Sequence, residues 1–145
     1  MAKNKVIPAR AIARGQEKIV KATPHPSSYG GKPSWRFSTV DKDGPFAWPM
    51  GKPEESHILE KLRAFDSMTW DEIKGKQHHF LSPASLSKEA IKRLEEIERD
   101  DEIDNLFSFH LQGKPRIVCI RHNDLALLLW YDPEHAVAPS HKKHT

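Results

Sequence analysis

A single cysteine, Cys119, is all that this chain of 145 residues contains. An intramolecular disulfide is therefore excluded, and so are zinc motifs built on cysteine pairs. Such sparing use of cysteine fits a reducing compartment, and the expected location is cytoplasmic. No apolar run approaches the roughly 20 residues needed to cross a bilayer, so no membrane association is expected. The opening stretch, MAKNKVIPARAIARG, is basic but has no apolar core, and it is not expected to act as a secretory signal. Also missing are a P-loop, a G-x-G-x-x-G turn, a G-x-S-x-G elbow and an H-E-x-x-H pair. Nothing points to nucleotide hydrolysis, dinucleotide chemistry or an α/β-hydrolase, and no cofactor is expected.

Nine histidines are present, which raises the question of a metal. His78 and His79, and the terminal His141-Lys142-Lys143-His144, have no partner at a spacing that fixes metal geometry. A site from His110, His122 and His135 would require three separate strand or turn positions to converge, so no metal is expected.

Charge is unevenly divided. Residues 1–34 hold seven Lys/Arg against one acid, Glu17, a net of +6; the other 111 residues hold 16 against 19, a net of −3. The basic character thus belongs to an arm, which suits contact with phosphate or an acidic partner and equally suits a solvated leader. The organisation expected is a basic arm and Pro/Gly/Ser-rich linker over 1–34, one α+β domain over 35–138, and a basic tail over 139–145.

Within the arm, 9–21 has the composition of a short helix interrupted by Gly15. WRFSTV predicts a first strand from Trp35 to Val40, and the loop after it carries Phe46 and Trp48 as anchors to the core. Apolar spacing at Ile58, Leu59, Leu62 and Phe65 predicts a helix over 54–66 that starts after Pro53. Thr69 and Glu72 form a T-x-x-E box for a short helix through Trp70 and Ile73. Residues 74–85 read as irregular. Ser87 opens a third helix with Ile91, Leu94 and Ile97 as its buried stripe, and an acidic run, LEEIERDDEID, extends it to 104.

The last third changes period. Phe107, Phe109 and Leu111 alternate with Ser108 and His110, Gly113-Lys114 turns the chain, and Asn123-Asp124 makes a second hairpin turn. ALLLW, 126–130, is apolar on both faces, as a central strand covered on each side must be, and Asp132-Pro133 stops it. Helices first and an antiparallel sheet second give an α+β arrangement. Cys119 alternates with Ile117 and reads as buried and inert.

The segment LFSFHLQGKPRIVCIRHNDLALLLW, residues 106–130, resembles the RelE/HigB-like toxin endoribonucleases of toxin–antitoxin systems. Their pattern is a polar strand, a Gly-basic turn, an arginine opening the next strand, and then an apolar strand, and Arg116 stands at the arginine position. The resemblance covers 54–135 in order of elements and this one segment in residue pattern. It implies helices packed on a curved antiparallel sheet, a metal-independent endoribonuclease, RNA as substrate with ribosome association left open, and an antitoxin partner. The chain departs from the family in its acidic domain, its additional first strand and loop, and its ending, YDPEHAVAPSHKKHT.

Metal-free RNA cleavage needs a base for the 2′-OH, a cation for the phosphorane and an acid for the leaving oxygen. Histidine can fill the first and last roles near neutral pH, and arginine forks onto phosphate. The catalytic candidates are His110, Arg116, His135 and, from the loop before the third helix, His79. Arg121, His122, Lys114, Lys18 and Lys21 are candidates for RNA contact. Each also has a plain structural role open to it. His110 suits a solvated strand face, Arg116 an ion pair with Asp104 or an acid on the third helix, His135 a bond that fixes its turn, and Arg121 and His122 an ordinary surface. Trp130 and Tyr131 suit packing better than base stacking. A different class of function remains open as well, a non-catalytic module that binds nucleic acid or protein through the basic arm, and a third reading has the acidic helix meet a basic partner.

Overall fold

A computed structural model describes residues 31–139. The helix expected over 9–21, Lys18, Lys21 and the tail from 140 lie outside the described residues. Five strands form one sheet: β1 Ser34–Arg36, β2 His79–Phe80, β3 Leu106–His110, β4 Arg116–His122 and β5 Leu125–Asp132, in the order β1-β5-β4-β3-β2. Among the described residues three α-helices accompany it: α1 Pro53–Asp66, α2 Trp70–Ile73 and α3 Lys88–Glu96. The α+β class stands, but the sheet is mixed. β1 runs parallel to β5, pairing Trp35 with Ala126, while the other neighbours are antiparallel.

The helices begin where local chemistry directs. Pro53 occupies the first turn of α1, where its missing N–H costs nothing, and Glu55 takes the Gly51 N–H at 2.9 Å and the Trp48 indole N–H at 3.0 Å. Ile58, Leu62 and Phe65 are buried, whereas Leu59 is exposed and does not join the packed face. The capping box of α2 is complete in both directions between Thr69 and Glu72. Ser87 caps α3 by accepting the Ala90 N–H at 3.1 Å.

α3 ends earlier than the acidic run suggests. Glu98 turns left-handed at φ 59, its N–H reaches the Glu95 carbonyl, and the Arg99 N–H reaches the Leu94 carbonyl at 2.8 Å. This is a Schellman closure made by glutamate where glycine is usual, so no glycine marks it in the sequence. The acids that follow form a separate 3₁₀ turn, Asp100–Asn105.

Both faces of the sheet are covered. α1 and α2 pack on Phe107, Phe109, Ile117 and Cys119. α3 lies on the opposite face against Leu106, Val118, Ile120 and Trp130. The register slips between Val118 and Cys119, which pair with Trp130 and Leu128 and leave Leu129 over. That bulge lets Leu129 and Trp130, consecutive residues, pack in one cluster. As expected, Phe46 and Trp48 pin their loop. The loop is also held by Asp41, which accepts bonds from Arg93 Nε and Nη2 at 2.8 Å each and from the Trp130 indole at 2.9 Å. Burial disfavours the Asp41 carboxylate, but the Arg93 and Trp130 hydrogen bonds outweigh it and hold the group below its ordinary range.

The first strand is three residues rather than six, because the chain turns after Phe37. The stretch read as irregular contains β2, which supplies the sheet's far edge.

Candidate functional site

The site grows out of strand register. His110 on β3 lies opposite Arg116 on β4, and Arg116 lies opposite Asp132 on β5. Directly opposed residues on an antiparallel pair have Cβ atoms about 4.5–5.5 Å apart, so the three stand in a row across the end of the sheet. They share the α3 face with Ser108, because Phe107, Phe109 and Ile117 belong to the other. Ser108 is buried, so this face is not the open surface that its polarity suggests.

His135 joins the row through the turn after β5. The buried Asp132 carboxylate accepts the Ala136 N–H on one oxygen and the Val137 N–H on the other, both at 2.8 Å. The clamp folds the chain back over the sheet end and holds His135 at φ 58. Left-handed backbone of this kind costs a non-glycine residue about 1 kcal/mol or more. β2 brings in the fourth group, since His79 pairs with Ser108 across β2 and β3. His79, His110, Arg116 and His135 thereby line one cleft of about 570 Å³, with Ser82 and Lys76 also on its wall.

Hydrogen bonds decide which nitrogens are available. His79 Nδ1 lies 2.9 Å from the Phe80 carbonyl; a carbonyl only accepts, so the proton is on Nδ1 and Nε2 is the unengaged nitrogen. His110 Nε2 donates likewise to the Gly113 carbonyl at 2.7 Å, leaving Nδ1. Arg116 Nη1 donates to the carbonyls of Gly113, Lys114 and Pro115. Its Nε and Nη2 have no acceptor among the described residues, and the ion pair with Asp104 is not formed.

The electrostatics favour a neutral base. Burial, then the Arg116 charge, push the His135 imidazole below its ordinary value of 6.5, while Asp132 pulls the other way. Burial also lowers the Arg116 guanidinium, with Asp132 opposing, yet an arginine remains charged at any physiological pH.

The residues expected to contact RNA are differently placed. Arg121 lies on the α1–α2 face with its guanidinium 4.0 Å from the Trp70 ring and 5.3 Å from that of Phe80, and it donates to the Asn123 carbonyl. It stitches the β2 edge to α2. His122 pairs with Glu102 at 3.1 Å, and the exposed Lys114 approaches Glu134 at 3.4 Å. Trp130 is core, as its setting implied, and Cys119 is fully enclosed, with burial pushing its thiol far above the usual range.

Two residues escaped the sequence reading. Asp132 was legible only as the end of a strand, although an Asp side chain commonly accepts from backbone N–H groups just downstream in a turn. His78 accepts the His110 backbone N–H on Nδ1 at 3.0 Å, a role no local pattern announces. Among the described residues no three His, Cys, Asp or Glu side chains converge as a metal site requires. Compared with known proteins, the chain matches no protein-family model, no curated protein and no solved structure.

Proposed function

We propose that this protein is a toxin-like, metal-independent endoribonuclease that cleaves single-stranded RNA in the cleft at the end of its sheet. The observation that carries the reading is the convergence of three imidazoles and one guanidinium, from β2, β3, β4 and the turn after β5, on one cavity wall. In this reading His135, neutral near pH 7, takes the proton of the 2′-OH as that oxygen attacks the adjacent phosphorus. Arg116 directs Nε and Nη2 at the developing phosphorane charge. His79, entering as the imidazolium, gives the proton from Nε2 to the departing 5′-oxygen. The products are a 2′,3′-cyclic phosphate and a 5′-hydroxyl end. His110 braces the turn that holds Arg116. A small antitoxin that covers the cleft, and an RNA substrate presented on the ribosome, belong to the same proposal.

A binding module without catalysis is the second reading. It is favoured by the three carbonyls on Arg116 Nη1, which give that arginine a structural task of its own. Induced expression with analysis of total RNA separates the two. The intact protein is expected to arrest growth and fragment RNA. His135→Ala and His79→Ala, folded by circular dichroism, are expected to lose about 10²–10⁴ of the cleavage rate of purified protein. Intact RNA and normal growth, with or without added ribosomes, would sink the nuclease.

A further inference from the structure

A second cavity of about 380 Å³ lies between α1 and the turn joining β3 to β4, and it shares Gln77 and His110 with the cleft. Its chemistry is of another kind. Where the cleft carries Arg116, this cavity is walled by the carboxamides of Gln77 and Gln112, the thioether of Met68, the imidazole of His78 and, at one side, Lys61.

His78 is the group whose state is set. Its Nδ1 accepts the His110 N–H, so the proton of the neutral ring sits on Nε2. The ring stands edge-on to Phe65 at 4.9 Å and tilted to Phe109 at 6.2 Å. Burial, then the nearby charges of His110, His79, Lys61 and Arg116, oppose a second proton. Among the described residues the one buried side-chain nitrogen or oxygen lacking a partner is Asp124 Oδ2. His78 Nε2 has no protein acceptor either, so it is open to solvent in the cavity that the ring lines. The cavity therefore offers a donor of fixed identity, two amides able to donate, and an ammonium.

Donors in excess select a ligand edge rich in acceptors. Uracil and guanine present carbonyl oxygens, whereas adenine presents an amino group and no carbonyl. Single-stranded RNA offers such edges because its bases are splayed from the stack. We propose that this cavity is a nucleobase subsite for the nucleotide next to the scissile phosphate, and that His78, Gln77 and Gln112 select a carbonyl-bearing base over adenine. The inference rests on the RNA-cleaving reading of the adjoining cleft, and it makes the protein base-selective.

The test uses the full chain and hexanucleotides of uridine or adenosine, every 2′-OH methylated so that cleavage cannot occur, with affinity read by fluorescence anisotropy. The expected result is a preference for the uridine strand of about tenfold or more. Gln112→Ala is expected to reduce that ratio, and Gln112→Glu, which removes the donors of that side chain, to reduce it further or reverse it. Arg116→Ala is expected to weaken both strands alike and leave the ratio unchanged. Equal affinity for the two strands, or a ratio unmoved by both Gln112 variants, overturns the subsite; a loss on Arg116→Ala in the same data leaves the cleft reading standing. A preference that responds to Gln112 while Arg116→Ala costs nothing keeps the subsite and removes the cleft. No binding of either strand by folded protein overturns both.

Discussion

Two histidines tie the stability of this protein to pH. His78 and His135 both titrate below the ordinary 6.5 in the folded chain, in each case chiefly because burial disfavours the charged ring. The unfolded chain therefore binds protons more readily than the folded one as pH falls through 6.5, and stability is lost in that direction. Above that pH both rings are neutral in either state and contribute no slope. Melting temperature is thus expected to be flat from pH 8 to 7 and to fall from 6.5 towards 5.5. His78→Gln, which keeps an acceptor for the His110 N–H and removes the titration, is expected to make that fall shallower; an unchanged profile would remove His78 from the account. Protonation of His78 also turns its Nδ1 from an acceptor into a donor facing a donor, so the acid limb of stability and the loosening of the His110 strand have one cause.

At the scale of elements, α3 is the instructive case. Its start is written in Ser87, and its stripe in the spacing of Ile91, Leu94 and Ile97, of which Leu94 is fully buried and the two isoleucines partly so, with Ala90 buried beside them. Its end is made by Glu98 in a conformation that costs any residue with a Cβ. Glu98→Gly is expected to stabilise the fold by roughly 0.5–1 kcal/mol, the relief of left-handed strain less the entropy of an added glycine, measured by urea unfolding. A destabilisation would show that the glutamate side chain matters more than its backbone. The fastening of α3 to the 41–48 loop runs through the Arg93–Asp41 pair, which is nearly dry on the carboxylate side, 3% exposed. Asp41→Ala leaves a guanidinium and an indole N–H without their acceptor and is expected to cost about 3–5 kcal/mol. A cost near that of an exposed pair, below about 1 kcal/mol, would mean that water replaces the carboxylate. Gly44 sits in the same fastening at φ 86, a left-handed backbone that favours glycine, and a Cβ there would crowd the Arg93 guanidinium.

For the whole molecule the governing feature is charge. The domain is acidic and the first 34 residues are strongly basic, while Arg121, His122 and Lys114 are engaged within the domain. Under the RNA-cleaving reading, sequence-independent attraction for RNA then falls to the arm. Replacing Lys18 and Lys21 by alanine is expected to flatten the dependence of log affinity on log salt by about 1.4, at about 0.7 per phosphate contact on a single strand. A slope that does not change would assign the attraction to the cleft instead.

What was legible in the residues alone follows from how far the interactions reach. The capping box of α2, the Pro53 start, the apolar stripes and the double-sided burial of 126–130 are set within a few positions of one another, so the sequence by itself determined most of the elements and their inward faces. It also determined that Cys119 and Trp130 are core, the first by its alternation with Ile117 and the second by its place in a run apolar on both faces. The tertiary structure decided the rest. A three-residue strand such as β1 carries no mark of its parallel partner, and β2 exists because β3 offers an unpaired edge. Nothing local places α3 across the sheet from α1. The gathering of His79, His110, Arg116 and His135 depended on the register of β2, β3, β4 and β5 and on a clamp at Asp132. Register is fixed by burying one face of every strand at once, a condition that only the packed chain can satisfy.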